Sequence, residues 1–175
     1  MAQIDDFKAN LIGGGARANQ FRITITPPPG IAIGLDVRRT SFLVTAAQIP
    51  AIEMAFIAVP FRGRILKMAG DRTFAEWNTT IINDTDFNVR DAIERWMNGI
   101  NAHSQNTGLT TPIAYEADLK VDQLDRDGST LKTYTFRGAY PQDLSEIALS
   151  YGDNDNIERF TCIWAYQYFE SNTTS

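Results

Sequence analysis

Histidine and cysteine are nearly absent from this sequence, with one residue of each, His103 and Cys162, in 175. A lone cysteine forms no internal disulfide, so nothing indicates an oxidising compartment. A zinc site would have to take its remaining ligands from carboxylates, and a thiol–imidazole pair would have to be these two residues. His103 falls in a loop after the predicted helix, and Cys162 stands mid-strand on an aromatic face, where a thiol is inert. Also missing are a signal-peptide pattern and any apolar run near the roughly 18 residues of a membrane span, so no membrane insertion is expected. Without secretion, the sequons at Asn78, Asn83 and Asn172 carry no weight. Basic excess is missing too: 16 Lys and Arg meet 21 Asp and Glu, a net charge of −5. Tight nucleic-acid binding uses clustered cations against phosphates, and this chain does not supply them.

Familiar site signatures fail on inspection. Gly13-Gly14-Gly15-Ala16-Arg17 lacks the Gly-Lys-Ser/Thr ending of a phosphate loop and precedes a strand instead of following one. Asp122–Gly128 resembles a calcium loop until Gly128 is set at the sixth position, which puts Tyr134 where the bidentate Glu belongs. No pair of carboxylates is singled out for acid–base work. The chain is therefore expected to be no enzyme and to need no cofactor.

What is present is an ordinary globular composition, 43% hydrophobic and 21% charged, in a length expected to form one domain over residues 1–175. A polar leader, Met1 to Asn19, precedes it. Phe21–Thr26 alternates Phe21, Ile23 and Ile25 against Arg22, Thr24 and Thr26, the period of a half-buried strand. Pro27-Pro28-Pro29-Gly30 ends it, opening the apolar Pro27–Gly34 loop. Ser41–Ala47, Glu53–Pro60, Gly63–Met68 and Phe74–Asn83 are further predicted strands.

Val89, Ile93, Trp96 and Ile100 recur at helical spacing, with Asp86 or Asp84 able to cap the start and Asn98-Gly99 supplying a left-handed exit. Tyr115–Leu124 and Leu131–Ala139 read as a hairpin around Asp125-Arg126-Asp127-Gly128. One of its faces is apolar; the other is wet and mainly acidic. The Asp153–Asn156 cluster reads as a loop. Ile157–Phe169 reads as one last strand with Phe160, Cys162, Trp164, Tyr166 and Tyr168 on one face. Ile163, Ala165 and Phe169 make its other face partly apolar, which calls for a covering loop or another subunit. The predicted fold is mainly β: two packed antiparallel sheets, a β-sandwich or half-barrel, with one flanking α-helix.

Ala69-Gly70-Asp71-Arg72-Thr73-Phe74, then Trp77, then Asn83-Asp84 and a helix carrying Trp96, closely resembles the tail tube proteins of contractile-tailed bacteriophages. Gly14–Phe21 (GGARANQF) and the region around Ile49-Pro50 are similar to that family as well. The resemblance runs through nearly the whole chain in order. It implies a structural virion protein that forms homohexameric rings, stacked into the inner tube of a contractile tail. Neighbouring subunits would close their inner sheets into one barrel, through which genomic DNA passes without specific binding. Implied partners are further copies of the chain and the tail sheath, baseplate and tail-terminator proteins. The implied location is the virion tail, assembled in the host bacterial cytoplasm. Tubes of phage-tail-like bacteriocins and contractile injection systems use similar subunits; a carbohydrate-binding β-sandwich is the alternative from another class.

Within that frame Gly70-Asp71 is expected to turn, Asp71 and Arg72 to contact a neighbouring subunit or ring, and Phe74 and Trp77 to anchor the turn, the four residues together forming the expected subunit interface. An intrachain Asp71–Arg72 ion pair is the other reading. Glu116, Asp118, Lys120, Asp122, Thr133, Thr135 and Arg137, the wet face of the hairpin, are expected to line the lumen, where carboxylates repel phosphates. Ile4, Phe7, Leu11 and Ile12 of the leader are expected to form a short amphipathic arm that docks on an adjacent ring.

Overall fold

A computed structural model of the chain describes residues 4–174; the expected leader therefore includes Met1–Gln3, which lie outside the described residues. Its elements in order are α1 (Ile4–Asn10), a 3-10 turn (Ile12–Gly14), β1 (Phe21–Ile25), α2 (Val37–Leu43), β2 (Val44–Ala47), β3 (Ile52–Phe61), β4 (Arg64–Phe74) and β5 (Trp77–Ile82). There follow α3 (Asn88–Ile100), α4 (Pro112–Tyr115), β6 (Ala117–Leu124), β7 (Thr130–Leu144), β8 (Arg159–Ala165) and β9 (Tyr168–Ser171). The fold is mainly β; among the described residues all pairings are antiparallel and α3 is the one long helix.

The fifteen residues of β7 organise the body. Its first half pairs with β6 on one side and β9 on the other, and its second half pairs with β8. The strand order is β1-β6-β7-β8-β5-β2, with β9 alongside β7. Between the halves the β6–β7 register slips, Ala117 facing Ala139 but Leu119 facing Phe136. Gly138 sits in the slip at φ 62, where a Cβ would lie 2.9 Å from both Gln167 and Glu116 side-chain atoms. A bulge with glycine in the left-handed region lets one strand leave one layer and enter another. The layers then face each other: Trp77 of β5 stacks on Phe136 of β7 with centroids 4.3 Å apart, and Phe136 meets Tyr166 edge-on.

Helix α3 seals this core. Val89, Ala92, Ile93 and Trp96 are buried, and Trp96 packs edge-to-face on Trp164 while its indole N–H donates to the Tyr115 carbonyl at 2.7 Å. The Pro27–Gly34 loop clasps the outside of α3. Ile33 is buried and Ile31 packs so closely on Gly99 that a Cβ there would stand 2.7 Å from it. The Arg95 guanidinium donates to the Ile33 carbonyl. Gly99 is thus needed for close approach and not as a helix exit: α3 continues to Ile100 and ends on extended Asn101.

Several sequence expectations need correction. Ser41–Leu43 is the end of α2, whose Asp36 cap accepts from the Arg39 N–H; only Val44–Ala47 is strand. The Asp36 N-cap starts a helix that carries through Ser41, Phe42 and Leu43 before the β-branched Val44-Thr45 begins the strand. Phe87 at φ 53 is the N-terminal boundary of α3, although Asp86 still accepts from the Asn88 N–H at 3.2 Å. The predicted Phe74–Asn83 strand is broken at Ala75-Glu76. Tyr115 belongs to α4, so β6 begins at Ala117, two residues later than expected. The predicted final strand is two, broken at Tyr166-Gln167, which turns β9 back onto β7. Phe169 consequently packs inside its own chain against Phe74, Tyr134 and Phe136 and needs no other subunit to cover it.

Candidate assembly surfaces

The hairpin of β3 and β4 leaves the body as an arm. Arg62 (φ 45) and Gly63 (φ 82) form its two-residue turn, both in the left-handed region that a right-twisted hairpin requires. Every residue of β3 and nearly every residue of β4 is exposed. One face of its outer half carries Ile57, Val59 and Phe61 with Leu66 and Met68; the other carries Phe56, Ala58, Pro60 and Ile65. An exposed ribbon apolar on both faces is not at rest in water, because a lone two-stranded hairpin is marginal and a contiguous apolar patch of this kind marks an interaction site. Pro60, expected to end a strand, is tolerated inside β3 because a two-stranded ribbon has only edges.

The AGDRTF run belongs to this arm. Gly70-Asp71 is no turn: Met54 faces Arg72 but Phe56 faces Ala69, so β4 carries an extra residue there, a β-bulge opposite Ala55. A Cβ on Gly70 would lie 3.1 Å from the Ala55 carbonyl oxygen, which explains glycine at this point. Asp71 and Arg72 are exposed at the root of the arm, and no ion pair joins them among the described residues. Phe74 is half-buried against Tyr166 and Phe169. Trp77 is 2% exposed and donates to the Gln48 carbonyl at 2.8 Å, so it fastens the arm's root from inside the core and has no surface to offer a neighbour.

The second surface is the wet face of β1-β6-β7-β9. Asp118, Lys120 and Asp122 stand on it from β6, and Thr133, Thr135 and Arg137 from β7, with Glu116 just ahead of β6. Thr133 donates to Asp122 at 2.6 Å. Strand pairing adds two residues that reading along the chain did not: Arg22 of β1 opposite Asp122, and Glu170 of β9 opposite Thr135. Arg137 is held between Asp118 and Glu170, and these hydrogen bonds, the Asp118 one foremost, raise its pKa further. Four acids and three bases make this face close to balanced, less acidic than expected. β1 and β9 each keep one side without a strand partner among the described residues.

The third surface is the leader. Ile4, Phe7, Leu11 and Ile12 are all exposed, on α1 and the turn after it, and no residue of α1 is buried. His103 is exposed in the loop after α3, and Cys162 is fully buried with its thiol pKa pushed far up by desolvation. No group of three or more His, Cys, Asp or Glu side chains comes together as a metal would need, among the described residues. No helix among them is long and apolar enough to cross a membrane.

A family profile described as phage tail tube protein matches residues 16–172. The chain belongs to that family. The tail tube protein of Serratia phage KSP90 is 30% identical over 168 residues, 95% of each chain, and that of Enterobacteria phage T4 is 28% identical over 159 residues, 90% of this chain and 93% of the relative. Among solved structures, the tube-terminating cap of the anti-feeding prophage matches with a TM-score of 0.66 at 15% identity, covering 92% of both chains. A sheath–tube complex of an extracellular contractile injection system in its extended state matches with 0.61 at 14% identity, covering 94% of this chain and 96% of the other. Those two likenesses speak for the fold. As a phage tail tube protein the chain is a structural tube subunit and a virion component. The β3–β4 arm is the surface that sequence reading missed; its signal was present in the apolar residues at both parities of 56–68.

Proposed function

We propose that this tail tube protein polymerises as stacked homohexameric rings into the inner tube of a contractile tail, the conduit for DNA delivery. The observation that carries the reading is an arm apolar on both faces, exposed along nearly its whole length on a body with its own buried core. A heterologous contact closes rings or extends filaments, and such an arm needs an identical neighbour to cover it. The free sides of β1 and β9 join neighbouring sheets in the ring, which removes the edges that otherwise aggregate. The balanced face of β1-β6-β7-β9 lines the lumen, with Glu116, Asp118, Lys120, Asp122, Thr133, Thr135 and Arg137 in the bore. Phosphates slide past it: Arg137 is already bracketed by Asp118 and Glu170, so few cations are free to release counterions from DNA. Asp71 and Arg72 at the arm's root contact the next subunit, and Ile4, Phe7, Leu11 and Ile12 dock on an adjacent ring. Sheath, baseplate and tail terminator bind the finished tube, which assembles in the host cytoplasm and performs no catalysis. The phage relatives at 28–30% identity favour a phage tail over a bacteriocin or injection device.

Negative-stain imaging of purified protein, concentrated or seeded with tail baseplates, should show hollow cylinders. Arg72→Glu should give a folded monomer that does not polymerise. Wild-type protein that never forms cylinders, even when seeded, overturns the reading; unimpaired growth of the variant removes Arg72 from the interface.

A further inference from the structure

The arm joins the body through two legs, and the two are held in different ways. The incoming leg is fixed at Gln48, whose carbonyl accepts from the Trp77 indole at 2.8 Å; Trp77 is buried on β5, a strand paired on both sides. The outgoing leg is fixed at Ala75, whose carbonyl accepts from the Tyr166 phenol at 2.6 Å. One residue earlier, Phe74 lies against the Tyr166 ring and meets Phe169 edge-on, with centroids 5.5 Å apart. Desolvation pushes the Tyr166 pKa up, so the phenol keeps the proton it donates.

The second hold comes from an edge of the fold. Tyr166 stands in the break that turns the chain from β8 into β9, and Phe169 is the second residue of β9. β9 is four residues long and, among the described residues, is bonded on one side alone, to β7. Its other ties to β7 are the Gln167 N–H on the Arg137 carbonyl and the Glu170–Arg137 ion pair. A short edge strand opens locally at a fraction of the cost of global unfolding. When β9 lifts from β7, Phe169 leaves Phe74 and the turn that carries Tyr166 is released, so the outgoing leg loses both contacts. Trp77 still pins the incoming leg, and the arm swings on it. β9 thus has two arrangements, seated and lifted, and the arm is aimed only in the first.

A strand that pairs with the free side of β9 bonds the seated form and not the lifted one, so it shifts the population toward seated. We infer that Tyr166 and Phe169 couple the sideways contact to the arm: a neighbour closing on β9 sets the direction in which the arm points. Linkage makes the coupling reciprocal. An arm captured by a partner holds Phe74 and Ala75 in place, and so steadies β9 for its neighbour by the same factor. Sideways and lengthwise contacts therefore form together and not independently. This rests on the tube reading for the neighbour at β9 and goes beyond it in making the two contacts interdependent.

Thr135 faces Glu170 across β7 and β9, which offers a way to seat β9 with no neighbour present. Thr135→Cys with Glu170→Cys, oxidised to a disulfide in the full-length chain, does so, and its reduced form is its own control; native Cys162 is buried and stays silent. In the monomer, oxidation should slow hydrogen exchange at residues 72–76 at least about fivefold and leave β5 unchanged. Adding Phe74→Ala with Tyr166→Phe, which cuts the outgoing leg from β9 without altering β9, should abolish that response. Under assembly conditions the oxidised form should make tubes at a protein concentration at least about threefold lower than the reduced form. Should the disulfide not form, Phe169→Ala tests the reverse. It should speed exchange at 72–76 at least about fivefold, and no further when joined to Phe74→Ala and Tyr166→Phe. Exchange at 72–76 that ignores the state of β9 overturns the inference and leaves the tube reading standing. So does a response that survives loss of the Phe74 and Tyr166 contacts, or equal assembly by the two forms. Wild-type protein that forms no tubes even when seeded sinks the tube reading instead, while exchange in the monomer still decides whether β9 holds the arm.

Discussion

Arg39 reaches out of α2 to two carboxylates, Asp84 and Asp86, in the segment just ahead of α3. From sequence both acids looked like helix caps; instead their main partner is a cation 45 and 47 residues away, with Asp86 also accepting from the Asn88 N–H. The clamp ties α2, and hence β2 and the root of the arm, to the start of α3. The Arg39 hydrogen bond holds the Asp84 carboxyl below its ordinary range, with desolvation opposing it. A carboxylate whose pKa is depressed by folding contributes stability above its unfolded pKa and loses it as pH falls through the folded value. Arg39→Met should therefore lower Tm at neutral pH, and the gap to wild type should close as pH drops below about 4. Thermal unfolding across pH checks this. A gap unchanged into strong acid would mean that Arg39 acts through its aliphatic stem alone.

At the level of elements, the arm and the body answer to different forces. The body is held by its own aromatic interior, Trp77 on Phe136 and Trp96 on Trp164, whereas β3 and β4 have no layer beneath them among the described residues. Replacing the facing pair Val59 and Leu66 by Val59→Lys with Leu66→Glu keeps an attractive cross-strand pair and leaves the core untouched. The change in folding stability should stay within about 0.5 kcal/mol, as for other surface substitutions. Assembly should be lost. Calorimetry and sedimentation together check the split, and normal tubes from this variant would show that the apolar face is idle. The same division explains what the sequence made legible. Alternation placed Ala117, Leu119 and Val121 inside and Asp118, Lys120 and Asp122 outside, and helical spacing put Val89, Ile93 and Trp96 in the core. Both patterns are local. Which strands lie side by side is not local: Arg22 beside Asp122 and Glu170 on Arg137 depend on pairings 100 and 33 residues apart. Apolar residues on both parities signalled a strand needing an outside partner, but the signal was assigned to Ile157–Phe169. There, the break at Tyr166-Gln167 folds Phe169 inward; the true case was 56–68.

On the scale of the whole molecule the chain is polar along one axis and unsaturated across another. Along the axis, the arm leaves one end of β5 and the 145–158 loop between β7 and β8 the other. Across it, β1 and β9 bound the same four-stranded layer, and each has a side that meets no strand among the described residues. A subunit open in two directions tiles a cylinder: sideways contacts close a ring, lengthwise contacts stack it. Hydrogen exchange distinguishes this from a mere aggregate of sticky arms. In the monomer, the outward-facing amides of Phe21–Ile25 and Tyr168–Ser171 should exchange quickly because water satisfies them, while β5 and β8 are slow. In the tube, protection should rise at β1, β9 and the arm together and stay unchanged at β5 and β8, which already have partners on both sides. An aggregate held by the arm alone would protect residues 52–74 and leave β1 and β9 as fast as before. That outcome would keep the arm as an adhesive surface but refute the closing of sheets between neighbours, because a barrel wall needs those edge amides bonded from one copy to the next.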